Sequence, residues 1–256
     1  MYKGGFKSKS RVSTRDLLSV STLDCADPTT VADFHSLIDL LQRASQAATP
    51  TPFHHVMRTL AKEGRLRRLY TQNVDALELR FPELTTTIPL RKLHSGDWPK
   101  TIQLHGNIMK AQCRRCWTIY DSPTQGRVGD SCSDCAALVA ERLTTKTKRT
   151  FKVPGLRPRI TLYGEEANDD TAIDEVMADD LNSGEIDGLV VVGTQLRIKA
   201  MQRFVKAAYT CMKESTRGVA VWINTADPPP KMGEIKWDLV VRGEADDIAA
   251  RSGMSL

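Results

Sequence analysis

The chain has 256 residues, 41% of them hydrophobic and 26% charged, with a formal net charge of +5. That length allows one good core and a small attached module rather than two full domains, and the composition is that of an ordinary globular protein. No apolar run approaches the ~20 residues a membrane-spanning helix needs, and the basic start, Met1 to Arg15, lacks the apolar stretch of a secretion signal. An intracellular, reducing setting is the resulting expectation. The charge is unevenly spread. Ten acidic residues and no basic one lie from Glu165 to Asp187, and seven basic residues and no acidic one from Arg142 to Arg159. Either run can be a solvated face; an acidic run bordering a site would favour a lysine-rich partner.

Helical and strand periods alternate along the chain. Val31 to Ala48 places Val31, Phe34, Leu37, Ile38 and Leu41 on one helical face, with Thr30 as the expected N-cap. A second helix opens at Thr51-Pro52, turns Phe53, Val56, Met57 and Leu60 inward and stops at Gly64. A short strand runs into Leu69-Tyr70-Thr71, and Leu84 to Lys100 reads as loop. Arg159 to Tyr163, Asp187 to Val192, Val219 to Ile223 and Trp237 to Val241 read as buried strands, with helices over Thr171 to Ser183 and Lys199 to Lys213. Such alternation argues for an α/β fold, a parallel sheet with helices on both faces. Cys113 to Lys152 breaks the pattern.

That break holds Cys113, Cys116, Cys132 and Cys135: two C-x2-C pairs separated by fifteen residues. The spacing sets four thiolates on tight turns, where they can close a tetrahedron at about 2.3 Å from Zn²⁺. Disulfides do not suit a reducing setting, and core cysteines have no reason to pair so regularly. Four thiolates leave no open position for water, so the expected zinc is structural. Cys25 and Cys211 read as ordinary buried thiols.

Three short constellations bear on function. Tyr70-Thr71-Gln72-Asn73-Val74-Asp75 follows a strand, in the position where open α/β sheets bind ligands, and offers amides and a carboxylate to a ribose and a carboxamide. Gln103-Leu104-His105-Gly106 sets a lone histidine at another strand end, next to a glycine; taken alone, such a histidine is more often structural than catalytic. Gly188 to Val192 runs into Gly193-Thr194-Gln195, a strand breaking into a loop before a helix, as in nucleotide phosphate loops.

Taken in order, TQNVD, QLHG, the paired cysteine knuckle, RPRITLYGEE, VVGTQLRI and WINTADPPP resemble the catalytic core of the sirtuins. The resemblance runs from about residue 50 to the C-terminus. The PTPFHHVMRTLAKEG helix is similar to the fungal nuclear branch that acts on histones. The resemblance implies a Rossmann-like NAD-binding domain (1–107 and 153–256) with an inserted zinc module (108–152). It implies an NAD-dependent protein-lysine deacetylase that transfers the acyl group from lysine to ADP-ribose and releases nicotinamide. Gln72 and Asn73 would hold the nicotinamide ribose, Asp75 the carboxamide, Gly193 and Thr194 the phosphates, and Asn224 the adenosine ribose, with Ala245 a further cofactor contact. His105 would be the general base, with Asn73 also catalytic. Gly164 and Glu165 would flank a peptide that pairs as an added strand. The implied partner is an acyl-lysine protein, with histones and the nucleus expected; membrane association and direct nucleic-acid binding are not.

The chain departs from the family in places. The GAGxS loop and PDFR-like segment with which sirtuins open are absent, so the chain reads as starting downstream of them and NAD binding is expected to be weak. Gln195 stands where the family has serine, Ala167-Asn168 where Leu-Pro is usual, and Tyr163 where phenylalanine is usual. Two alternatives stay open: a catalytically impaired, zinc-stabilised scaffold, and a zinc-ribbon nucleic-acid binder using the basic stretch from Arg142 to Arg159.

Overall fold

The computed structural model describes residue 6 and residues 8–145, 149–184, 186–214 and 218–251. Lys146 to Lys148 of the basic stretch, Glu185 of the acidic run and the first five residues lie outside the described residues. In chain order the elements are α1 (Thr14–Leu17), α2 (Pro28–Ala47), α3 (Pro52–Lys62), β1 (Leu69–Thr71), β2 (Thr101–Gln103), β3 (Gly106–Cys113) and β4 (Ile119–Asp121). There follow α4 (Ser133–Thr145), β5 (Leu156–Ile160), α5 (Asp170–Asn182), β6 (Gly188–Val192), α6 (Lys199–Lys213), β7 (Val219–Asn224), β8 (Leu239–Arg242) and α7 (Ala245–Arg251). No helix among the described residues is long and apolar enough to cross a membrane.

The chain divides into two compact units. The first comprises residues up to Thr49, Tyr70–Leu77 and Gln103–Asn168. Its frame is an antiparallel sheet in the order β4-β3-β5. Helix α2 starts at Asp27 rather than Thr30: the Asp27 carboxylate accepts the backbone N–H of Thr29 at 3.3 Å and of Thr30 at 2.9 Å. Proline at the next position, Pro28, has no N–H to leave unpaired, so Asp27-Pro28 is the true start signal. Phe34 and Ile38 of α2 are buried with Ile108 and Ala111 of β3 and Leu156 and Ile160 of β5. Buried Gln42 ties the same helix to the sheet, donating to the Ile108 carbonyl at 2.8 Å and the Ser122 hydroxyl at 3.0 Å.

The second unit comprises Pro50–Leu69, Glu78–Ile102 and residues from Asp169 onward. Its sheet is parallel, in the order β6-β7-β8, with Val191 opposite Trp222 and Ile223 opposite Val241. Helix α6 buries Met201, Val205, Ala208 and Met212, a stripe at helical spacing. Residues Ala220 and Trp222 of β7 are likewise buried. The strands are not buried on both faces as expected from their apolar runs. Val190, Val219 and Leu239, 46–55% exposed, lie on the face opposite Trp222, because alternate residues of a strand point to opposite faces; Val240, 41% exposed, shares the Trp222 face but sits on the edge strand β8. The N-terminus of α3 is capped by Asp246 of α7, which accepts the Phe53 N–H at 3.1 Å. The strand expected at Arg159 to Tyr163 is displaced toward the N-terminus and pairs antiparallel with β3.

Candidate active site and metal centre

Within the first unit, two of the sequence constellations lie side by side. The Leu104 N–H donates to the Thr71 carbonyl and the Ile108 N–H to the Val74 carbonyl, each at 2.9 Å. These bonds set Gln72, Asn73 and Asp75 beside the turn that carries His105. Asn73 is exposed, while Gln72 and Asp75 are half-buried. The segment is shaped locally: the Asn73 N–H donates to Thr71 Oγ1 at 3.1 Å and the Leu77 N–H to Asp75 Oδ1 at 3.3 Å.

His105 sits in a two-residue turn between β2 and β3, and the next residue has to be glycine. Gly106 has φ +79°, and a Cβ there would fall 2.2 Å from the Arg159 carbonyl oxygen. The His105 carbonyl accepts the Thr161 N–H at 2.9 Å, which fixes the turn to the residues after β5. A bracket closes around it: Asn107 Nδ2 donates to Gln103 Oε1 at 3.2 Å, and Asn107 Oδ1 accepts the Met109 N–H at 2.8 Å. Burial pushes the pKa of His105 below the ordinary histidine value, although a hydrogen bond with the Leu104 backbone works the other way. The ring is therefore neutral at pH 7 and able to accept a proton.

Gly164 and Glu165 follow β5 in the same unit. The Glu165 carboxylate takes both Arg157 terminal nitrogens, at 2.7 and 2.5 Å, and the Leu162 N–H at 2.7 Å. Its side chain thus holds the shape of the loop that presents Tyr163 and Gly164, both exposed. The Tyr163 N–H donates to the Leu18 carbonyl at 2.8 Å, and its carbonyl accepts the Val20 N–H at 3.0 Å. The Tyr163 backbone is thus already paired, and the Arg15 guanidinium lies 5.1 Å from its ring centroid.

In the second unit, the remaining predicted cofactor residues gather at the carboxyl ends of the parallel strands. Gly193-Thr194 follows β6, Asn224 ends β7, and Ala245 opens the helix after β8. Asn224 Nδ2 donates to the Thr194 carbonyl at 2.8 Å, and the Gly193 N–H to the Ile223 carbonyl at 3.0 Å. Gly193 has φ +62° with nothing within 4 Å of where a Cβ would sit, so conformation rather than crowding calls for glycine. Hydroxyl, amide and backbone groups at this edge of a parallel sheet suit a dinucleotide.

The four cysteines of the knuckle converge. Their sulfurs all lie within 4.8 Å of one another, with Cys113–Cys135 at 3.7 Å and Cys116–Cys132 at 3.5 Å. A zinc–sulfur distance of about 2.3 Å requires a tetrahedral edge of about 3.8 Å, so the cage has the size zinc needs. Cys113 ends β3, Cys132 immediately precedes α4, Cys135 lies in its first turn, and Cys116 is the exposed member. Cys25 and Cys211 are half-buried rather than buried. Sequence reading missed Asn107, Arg157 and the buried Tyr120 beside the cage. Only Asn107, an amide two residues after the histidine, left a local signal.

The Sir2 family profile matches residues 10–200. The chain belongs to the Sir2 family. This Sir2-family chain is 36% identical over 230 residues to the NAD-dependent protein deacetylase hst4 of Emericella nidulans, covering 87% of this chain and 37% of that protein. It is 32% identical over 263 residues to the NAD-dependent histone deacetylase HST4 of Saccharomyces cerevisiae, covering 97% and 68%. With the NAD-dependent protein deacetylase hst4 of Schizosaccharomyces pombe it shares 37% identity over 214 residues, covering 82% and 50%. The chain thus spans between about a third and two thirds of the relatives it matches. Among solved structures, Sir2 bound to acetylated peptide superposes with a TM-score of 0.63 at 18% identity, covering 93% of this chain and 82% of that one. A Sir2 homologue–NAD complex gives 0.62 at 19% identity, covering 96% and 80%. At that identity the likeness establishes the α/β fold of the Sir2 family.

Proposed function

We propose that the chain is the catalytic core of an NAD-dependent protein-lysine deacetylase acting on histones in the nucleus. What supports this reading most is the neutral His105, fixed in its turn beside Gln72, Asn73 and Asp75. When bound, NAD supplies a ribose carbon from which nicotinamide can leave and an ADP-ribose that accepts the acyl group. His105 takes the proton of a hydroxyl nucleophile as it attacks, and its lowered basicity keeps it unprotonated for that task. Gln72 and Asn73 hold the nicotinamide ribose, and Asp75 the carboxamide. Gly193 and Thr194 approach the phosphates, Asn224 the adenosine ribose, and Ala245 makes a further cofactor contact.

Gly164 lies beside the substrate peptide, with Glu165 and Arg157 fixing the backbone it meets. Zinc closes the module of residues 108–152; a four-thiolate site has no position for substrate, so the metal acts on structure alone. The relatives, two named protein deacetylases and one named histone deacetylase, support the substrate class.

The test is nicotinamide release from NAD by the purified gene product, supplied with acetyl-lysine histone peptides and with unrelated acetylated peptides. Release coupled one-for-one to deacetylation, fastest on a histone peptide, is the expected result. Deacetylation independent of NAD, or none at all, would overturn the reading.

A further inference from the structure

A hydrogen-bond chain enters the cysteine cage from its side. Tyr120, the middle residue of β4, is 8% exposed and belongs to the same apolar cluster as Cys113, Cys132 and Cys135. Its hydroxyl lies 3.2 Å from Cys132 Sγ and accepts the Ser133 hydroxyl at 3.3 Å. With Ser133 donating to the phenolic oxygen, the phenolic hydrogen is left to point at sulfur. A zinc-bound thiolate carries no hydrogen and can only accept, so the direction of the Tyr120–Cys132 bond is settled once the metal is in place.

The neighbouring ligands are treated differently. Cys132 Sγ also accepts the Cys135 N–H at 3.4 Å, and Cys113 Sγ accepts the Arg115 N–H at 3.3 Å. Exposed Cys116 has the Thr118 hydroxyl at 3.3 Å, but that hydroxyl donates to Asp134 at 2.8 Å and has no second hydrogen for sulfur. A four-thiolate zinc centre carries excess negative charge, which is costly where three of its sulfurs are buried. Donors aimed at the sulfurs spread that charge and fix the ligand's orientation.

We propose that Tyr120 is an outer-shell hydrogen-bond donor to Cys132, positioned by Ser133, that sets how tightly the module holds zinc. The proposal rests on the cage being a zinc site, and zinc content is therefore measured first. Tyr120→Phe removes one O–H and keeps the ring that fills the core. The variant should still hold one zinc per chain, with affinity about tenfold weaker in competition with a chromogenic chelator.

In the cobalt-substituted protein, the thiolate-to-metal charge-transfer band should move to longer wavelength, because an undonated thiolate is more electron-rich. Ser133→Ala, which leaves the donor but not its orientation, should shift both readings the same way by less. Unchanged affinity and an unchanged cobalt spectrum in Tyr120→Phe would overturn the proposal alone. A wild-type protein that retains no zinc would overturn the cage together with it.

Discussion

At the scale of single residues, the proposed chemistry depends on a histidine kept neutral and still. His105→Ala should lower turnover at least about a hundredfold, the lower end for a general base, and leave NAD affinity nearly unchanged, since a base acts in the transition state. Calorimetry with NAD beside steady-state kinetics separates the two; a loss of only a few-fold would return the histidine to a structural role. Burial also sets the pH profile. Burial lowers the folded-state pKa of His105 from the ordinary histidine value, so the acid-side fall of kcat/KM should come at lower pH than for an unperturbed histidine. The stability effect has the same sign. The unfolded histidine takes up its proton first, so stability falls as pH drops from the unfolded value through the folded one. His35, lowered by burial against the opposing charges of Asp39 and Asp130, adds to the same acid-side loss.

At the scale of elements, the two faces of the parallel sheet should respond very differently to substitution. Trp222 of β7 is 1% exposed, packs edge-on against Trp237 at 5.4 Å and donates its indole N–H to the Ala226 carbonyl at 2.8 Å. Trp222→Ala should cost about 3–5 kcal/mol by urea unfolding. Val190→Thr and Leu239→Thr, at positions 55% and 52% exposed, should each stay within about 0.5 kcal/mol. Equal costs on both faces would mean that the open face is covered in solution. The same contrast explains what the sequence made legible. Helix α6 could be read to its end residues because its apolar stripe has one period and lysines at both ends. The start of helix α2 is hidden from periodicity because its first apolar residue, Val31, lies four positions after the Asp27 cap. The bounds of strand β5 are not legible in sequence because Arg157-Pro158-Arg159 looks unlike a buried strand. Its place is given by pairing with β3, a partner more than forty residues away, and by the Arg157–Glu165 ion pair. The four cysteines were legible as a site because spacing alone places them. The neighbourhood of His105 was not, since backbone bonds from Thr71, Val74 and Thr161 bring it together.

At the scale of the whole molecule, the metal cage is not an appendage. Cys113, Cys132 and Cys135 belong to the main core of the first unit, with Phe34 and Ile38 of α2 and Ile160 of β5. Burial pushes the Cys135 thiol up to about 12 and raises Cys113 as well, so an empty cage would leave these two as neutral thiols in a space shaped for a cation, whereas at Cys116 hydrogen bonds with Thr118 outweigh burial and lower the thiol to about 6. Structural zinc contributes on the order of 10 kcal/mol of apparent binding free energy, against a total stability of about 5–15 kcal/mol for a typical domain. Removing the metal with a strong chelator should therefore unfold the first unit rather than loosen one loop. Cys113→Ser and Cys132→Ser should fail to retain zinc and accumulate as insoluble protein. Hydrogen exchange can localise the effect. Amides of β3, β5 and α2 should lose protection on chelation, while those of α6 and β7, whose core contains none of the four ligands, should retain it longer. Full protection of β3 and β5 in zinc-free protein would show that the apolar cluster holds without its metal, and the cage would then be a passenger on the fold.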